Sequence, residues 1–140
     1  MKRLLILSVS LLGAISNLAF AQKHAVSIQL QNLSTAKGQL LISIFNKANG
    51  FPEEVSAAYS NVVFKEPLRK NLVLFLPKGT YALAIVHDKN KNNKMDKNLF
   101  GAPTEPYGVS LNKTYLLKAP LFEENKFEMQ SDTSLTIYLK

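Results

Sequence analysis

Apolar side chains recur at every second position in several segments of this chain. In "HAVSIQLQNL" the apolar residues Val26, Ile28 and Leu30 alternate with polar ones, and "SLTIYL" (134–139) repeats the pattern near the end. Successive side chains of a β-strand point to opposite faces of the sheet, so this period is typical of strands with one buried face. The alternation therefore predicts a fold built from β-strands.

Other segments have the composition of strands and of the connections between them. "GQLLISIFN" (38–46) alternates on one face, and "NLVLFL" (71–76) and "TYALAIVH" (80–87) are apolar on both faces, as central strands of a covered sheet are. The turn residues "STAKG" (34–38) predict a hairpin between the first two strands, and "GFPEEVSAAYSNVV" (50–63) suits a short helix or turn. We expect an all-β fold, an antiparallel β-sandwich of immunoglobulin-like or transthyretin-like type with one long Asp/Asn-rich loop.

The N-terminal segment has the organisation of a secretory signal. The basic pair "KR" precedes an apolar stretch (4–20), and small residues in "AFA" follow at the expected cleavage site. The apolar stretch is short for a membrane span, which needs about 20 residues. We predict a signal peptide over residues 1–21, cleavage after Ala21, and a single β-sandwich domain over residues 22–140, exported to the periplasm or the extracellular space.

Composition narrows the class of protein and of partner. The chain has no cysteine, which excludes a disulfide scaffold and a lipid-anchored lipoprotein. Removal of Lys2 and Arg3 with the signal lowers the formal net charge from +7 to +5. A moderately basic exported protein, expected to be soluble after cleavage, could meet an anionic envelope component or another acidic ligand. The lysines are scattered, so nucleic acid is not expected as a partner.

Oxygen-bearing side chains are regularly spaced in "HDKNKNNKMDKN" (87–98), directly after a predicted strand. Ca²⁺ takes 6 to 8 oxygen ligands, and one loop can supply them from alternate positions, as the EF-hand does. Counting from Asp88, the EF-hand positions 1, 3, 5, 7 and 9 carry Asp88, Asn90, Asn92, the carbonyl of Lys94, and Asp96. Position 6, usually glycine, is Asn93, and asparagine tolerates a positive φ. The spacing is therefore consistent with a Ca²⁺ site.

Two features weigh against a tightly bound ion. Position 12, where a bidentate glutamate normally completes the coordination shell, is Leu99. Residues 88–97 also contain four lysines and two aspartates, so their formal net charge is +2. Glu105 could supply the missing carboxylate if the chain folds back through "GAPTEP" (101–106). The alternative is an ion-free hairpin tip in which Asp and Asn make local turns. Any Ca²⁺ affinity is expected at about 10⁻⁴ to 10⁻³ M.

An envelope hydrolase is the alternative function at the same loop. A hydrolase needs a nucleophile, a base and an orienting acid in mutual reach, and the loop offers Ser110, His87 and Glu105. Ser110 lacks the glycine context of a nucleophile elbow, and the chain has only 2 histidines. A zinc site is disfavoured for the same reason and because cysteine is absent. We therefore expect binding or a structural role rather than catalysis.

Aromatic residues near the loop allow a different kind of ligand contact. Tyr81, Phe100 and Tyr107 could form a ligand-binding surface, although closure of the end of the sandwich is the more common role of such residues. The hydrolase interpretation requires a cleft with His87 and Glu105 within hydrogen-bond distance and open to solvent. The binding interpretation requires a shallow aromatic or apolar surface instead.

The segment "LPKGTYALAIVHDKNKNNKMDKNLFGAPTEPYGVS" (76–110) resembles the hallmark of the domain-of-unknown-function 2141 family of small exported bacterial proteins. The matching positions are Gly79, Tyr81, Ala82, His87, Asp88, Asn90, Asn92, Asp96, Gly101, Pro103, Glu105, Tyr107, Gly108 and Ser110. Asn93 departs from the glycine that is usual at its position. The resemblance implies a β-sandwich and export, with no established activity and no catalytic residues. It favours an ion-organised loop that includes Glu105.

Overall fold

Eight β-strands form two sheets in the computed structural model, which describes residues 21–140. The strands are β1 (Lys23–Gln31), β2 (Gln39–Phe45), β3 (Ser60–Lys65), β4 (Asn71–Pro77), β5 (Gly79–Asp88), β6 (Tyr107–Val109), β7 (Phe127–Met129) and β8 (Thr133–Tyr138). The helical segments are a 3₁₀ turn (Val55–Ala57) and α1 (Phe122–Asn125). The predicted signal peptide lies outside the described residues, apart from Ala21. Within the described part of the chain, no helix is long and apolar enough to cross a bilayer.

The two sheets confirm the predicted all-β sandwich. The first sheet has the order β4-β1-β8, and the second has the order β3-β2-β5-β6, with β7 also paired to β5. The pairing of β1 with β8 is parallel, and the other pairings between these strands are antiparallel. The first sheet is therefore mixed, because β8 runs in the same direction as β1 whereas β4 runs in the opposite direction.

The core lies between the sheets and is built from the alternating residues that the sequence indicates. Val26, Ile28 and Leu30 of β1 and Leu135 and Ile137 of β8 are buried in one cluster. Burial of each such side chain is worth about 1.5 to 3 kcal/mol. These alternating faces, rather than any disulfide, hold the two sheets together.

Two predictions about individual strands are wrong. β1 and β2 do not form a hairpin, because β1 pairs with β4 and β8 whereas β2 pairs with β3 and β5. The connection through residues 32–38 crosses from one sheet to the other, since turn residues specify a reversal but not the partner strand. β4 is an edge strand rather than a central one, and its Val73 and Phe75 are 49% and 63% exposed. The prediction of a covered central strand holds for β5.

A small second cluster covers the outer face of the second sheet. Phe51 contacts the Phe45 ring edge-on at a centroid distance of 5.3 Å and the Phe122 ring at 5.9 Å, with Ala82 and Ala84 of β5 beneath them. Because alternate residues of β5 belong to the main core, this cluster lies on the opposite face of that strand. It fixes α1, and with it the preceding segment, across the outside of the sheet.

Candidate functional site

The polar loop (residues 88–96) begins at the end of β5, where the Asp88 carboxylate is fully buried. Its Oδ1 accepts hydrogen bonds from the backbone N–H groups of Lys91 (2.7 Å) and Asn92 (3.2 Å). Its Oδ2 accepts from the backbone N–H of Asn93 (2.8 Å) and from Gln39 Nε2 (2.7 Å). Asn93 has φ of +64°, the left-handed conformation expected at this position. Asp88 therefore organises the turn that follows it.

Gln39 is a site residue that sequence reasoning missed. It is the register partner of Asp88 between β2 and β5, and its side chain is buried. Besides its bond to Asp88, its Nε2 donates to Asn93 Oδ1 at 2.8 Å. A lone glutamine at a strand start carries no local signal, and only the cross-strand register brings it to the loop.

Glu105 joins the loop from the returning chain. Its Oε1 accepts from the backbone N–H of Lys89 (2.8 Å) and its Oε2 from that of Asp96 (3.2 Å), and the residue is 7% exposed. The Thr104 N–H in turn donates to the Asp96 carbonyl at 2.8 Å. The expected fold-back of residues 101–106 thus occurs, and Glu105 clamps the two ends of the polar segment.

The side chains of Asn90, Asn92 and Asp96 meet at the exposed end of the loop. Asn90 Nδ2 donates to Asp96 Oδ2 at 2.6 Å, and Asn92 Nδ2 donates to Asp96 Oδ1 at 2.8 Å. The Asn90 and Asn92 oxygens accept backbone N–H groups of the same loop, both at 3.1 Å. Among residues 21–140, no group of three or more His, Asp or Glu side chains is placed to hold a metal ion.

Glu66 ties the loop to the connection between β3 and β4. Its Oε1 accepts from Lys91 Nζ, and its Oε2 accepts from the Gly38 N–H at 3.1 Å. These two hydrogen bonds lower the pKa of Glu66 below its ordinary value, and the bond from Lys91 has the larger effect. Gly38 has φ of +91°, and a Cβ there would lie 2.8 Å from the Asp88 carbonyl oxygen. Only glycine allows this close approach of the chain to the end of β5.

The residues of the hydrolase alternative are buried and bonded to other groups. His87 is inaccessible, with Nε2 2.9 Å from the Lys37 carbonyl oxygen. Ser110 is buried as well; its Oγ accepts from the Leu83 N–H at 3.1 Å and donates to the Asn125 carbonyl. Glu105 accepts backbone N–H groups, as described above. These residues do not form the solvent-open arrangement that the hydrolase interpretation requires.

An apolar cleft of about 350 Å³ lies beside the polar loop, on the outer face of the second sheet. One side, here the first rim, is residues 95–103, and the other, the second rim, is residues 115–120. Ala84, Val86 and Gly108 are among the residues that line the floor. The large apolar side chains exposed on the rims are Leu99 (101%), Phe100 (94%), Leu116 (96%) and Leu117 (94%).

The aromatic residues singled out in the sequence have separate positions. Tyr81 is buried away from the loop, with its ring centroid 5.7 Å from that of Tyr59 and 6.5 Å from that of Phe127. The prediction that it helps to close the sandwich therefore holds. Burial raises the pKa of Tyr81. Tyr107 is half-buried and lines the cleft, whereas Phe100 is exposed on the first rim. The prediction that these aromatic residues close the end of the sandwich is therefore wrong for Phe100.

Asn125 anchors the ends of the second rim and is a further residue that sequence reasoning missed. Its Nδ2 donates to the carbonyls of Lys113 (2.9 Å) and Leu121 (3.0 Å), and its Oδ1 accepts from the Lys113 N–H at 3.1 Å. On the rim, Lys118 Nζ lies 3.9 Å from the centroid of the Tyr115 ring. The Tyr115 hydroxyl donates to Glu124, which raises the pKa of Tyr115.

Comparison with known proteins gives one match. The model of a family described as an uncharacterized protein conserved in bacteria (DUF2141) matches residues 28–137, which include the second sheet, most of the first sheet, the polar loop and both rims of the cleft. No curated protein and no solved structure matches the chain.

Proposed function

We propose that this chain, which belongs to the bacterial family DUF2141, is an exported binding module whose ligand docks at the apolar cleft. The observation that carries the proposal is the exposure of four large apolar side chains on the two rims, at residues 99, 100, 116 and 117. Contiguous exposed apolar patches are characteristic of binding surfaces, because water contact with them is unfavourable. The shallow apolar surface is the feature that the binding interpretation requires.

The size and rigidity of the cleft support this proposal. Its volume of about 350 Å³ is at the lower end of the range of small-ligand sites. Covering one Leu or Phe side chain gains about 1.5 to 3 kcal/mol. The Glu105 hydrogen bonds hold the first rim and the Asn125 hydrogen bonds hold the second, so that a ligand orders little of the chain on binding.

A fluorescent apolar probe tests the proposed surface. N-phenyl-1-naphthylamine should bind the wild-type protein saturably, and the double variant Phe100→Ser/Leu117→Ser should bind at least about tenfold more weakly. Both side chains are 94% exposed, so the substitutions should leave the fold intact. Phe75→Ser, at an exposed aromatic of the other sheet, is the control. Equal affinity of the double variant and the wild type would refute the proposal.

A calcium ion is a second candidate ligand, supported by the convergence of Asn90 and Asn92 on Asp96. Rotation of the two amides would turn their oxygens toward the Asp96 carboxylate, and the Lys94 carbonyl belongs to the same turn. The oxygens of Asp88 already accept four hydrogen bonds, and those of Glu105 accept two. An ion would have to displace some of these donors, so the expected Kd is about 10⁻⁴ to 10⁻³ M.

Calorimetric titration with CaCl₂ tests the second candidate. The wild-type protein should take up Ca²⁺ saturably, and Asp96→Asn should abolish the uptake because it removes the exposed carboxylate at the centre of the cluster. Asp132→Asn is the control, since Asp132 is an exposed aspartate outside the loop, where it accepts from the Ala25 N–H and lies 3.7 Å from His24 Nδ1. Absence of binding heat at millimolar Ca²⁺ would eliminate the calcium candidate and leave the cleft proposal untouched.

A further inference from the structure

We infer that the occupant of the apolar cleft is the surface of an anionic lipid bilayer, into which the tips of both rims insert. This inference rests on the binding function proposed above and names the partner of the same surface. It is carried by the exposure of the rim side chains, by the charge around them and by the position of two tyrosines.

The rim side chains extend into solvent with little packing against the rest of the protein. Exposures of 94% to 101% at residues 99, 100, 116 and 117 mean that these side chains have almost no contact with the protein body. A small ligand enclosed in the cleft would leave much of this apolar surface in water, including Leu99, which does not line the cleft. A bilayer interface covers the tips of both rims at once.

The charge around the rims complements an anionic surface. Lys94 and Lys97 lie at the first rim, and Lys113 and Lys118 lie at the second. The acidic residues nearby are each engaged: Glu53 is paired with Lys97 at 2.7 Å, the Asp96 carboxylate accepts from the Asn90 and Asn92 amides, and Glu124 accepts from the Tyr115 hydroxyl. No ion pair of the other three lysines is found among residues 21–140. Basic residues next to inserted apolar side chains attract anionic headgroups.

The tyrosines below the rim tips fit the same orientation. Tyr107 and Tyr115 line the cleft and are half-buried, so their rings lie deeper in the protein than the exposed Leu and Phe side chains. Amphipathic aromatic rings are favoured at the level of the headgroups. A second copy of the chain is disfavoured as the occupant, because two identical faces would bring like-charged Lys118 side chains together.

Tryptophan fluorescence tests the insertion directly, since the chain has no tryptophan of its own. Phe100→Trp and Leu116→Trp place one reporter on each rim, and Phe75→Trp places a control on the other sheet. With phosphatidylglycerol–phosphatidylcholine vesicles, both rim reporters should shift to shorter wavelength and be quenched by lipids brominated in the acyl chain. The control reporter should do neither. Rim reporters that stay unshifted and unquenched would overturn the inference.

Charge variants test the role of the lysines. Lys118→Glu should weaken vesicle binding about tenfold, whereas Lys78→Glu, at the opposite end of β5, should bind as the wild type does. Added salt should also weaken binding, since it screens charge. Equal loss in both variants, or a rim-reporter shift that depends on protein concentration without vesicles, would contradict bilayer docking.

The vesicle and probe experiments separate this inference from the proposed function. If N-phenyl-1-naphthylamine binds at the cleft and vesicles do not bind, the bilayer is the wrong occupant and the binding proposal stands. If neither binds, both the inference and the proposed function fail.

Discussion

Asp88 shows how one buried side chain can shape a whole loop. Its carboxylate accepts three backbone N–H groups of the following turn and the amide of Gln39 from the neighbouring strand. Buried backbone donors need acceptors, and an ionised carboxylate is a strong one for several donors at once. The Asp and Asn residues of this loop thus serve a structural purpose whether or not an ion binds.

Asp88→Asn should destabilise the protein by about 2 to 4 kcal/mol, because one acceptor oxygen becomes a donor facing two other donors. Urea denaturation of the variant and the wild type measures the difference. Asp132→Asn, at an exposed aspartate, should cost less than about 1 kcal/mol. Equal midpoints for Asp88→Asn and Asp132→Asn would show that the buried hydrogen bonds do not organise the loop.

Glu66 should make the free energy of unfolding of the protein decrease at acid pH. Its pKa in the folded protein is lowered from 4.5, so its contribution is fully present above that pH. The contribution is lost as the pH falls through the lower value of the folded state. The stability difference between wild type and Glu66→Gln should therefore be largest near neutral pH and shrink well below pH 4.5. A constant difference in urea midpoints across that range would contradict this assignment.

At the scale of elements, β5 connects the polar loop to the apolar cleft. Its end carries Asp88, its outer face provides Ala84 and Val86 to the cleft floor, and it pairs with β2, β6 and β7. The first rim continues directly from the polar loop, so the Glu105 clamp also positions Phe100. The second rim depends on α1, a single helical turn fixed through Phe122 and Asn125.

Asn125→Asp should loosen the second rim, because the new carboxylate oxygen would face the carbonyls of Lys113 and Leu121. The expected cost is about 2 to 4 kcal/mol, together with faster hydrogen exchange at the Lys113 amide. Asn61→Asp, which removes one exposed donation to Val55, is the matched control. If the Lys113 amide exchanges at the same rate in both variants, Asn125 does not anchor the rim.

Sequence predicted the elements whose signals are local. The alternation in β1 and β8 and the left-handed turn at Asn93 follow from neighbouring residues, whereas the fold-back that brings Glu105 to the loop was only a condition of the calcium hypothesis. Gln39 and Asn125 could not be predicted as site residues, because their partners are distant in the chain. The exposed Leu116 and Leu117 were missed for a different reason: apolar residues ordinarily indicate burial, so exposure appears only in the structure.

At the scale of the whole molecule, the sandwich acts as a rigid support for two loops on one outer face. The inter-sheet core is built mainly from residues of β1, β2, β4, β5, β7 and β8, and the apolar cleft lies outside it. The same arrangement leaves the rims free to contact a partner without disturbing the core. The bilayer partner is proposed for the rims of the cleft and the calcium ion for the neighbouring polar loop, whereas the proposal of export rests on the N-terminal sequence.

Mapping of backbone amide shifts during titration with N-phenyl-1-naphthylamine tests the central claim most directly. A ligand bound at the apolar cleft should produce saturable shifts concentrated in residues 99–103 and 115–120, with little change in β1 and β4 of the opposite sheet. Saturable shifts centred on β1 and β4, or none in the rims at saturation, would contradict a binding surface at the apolar cleft.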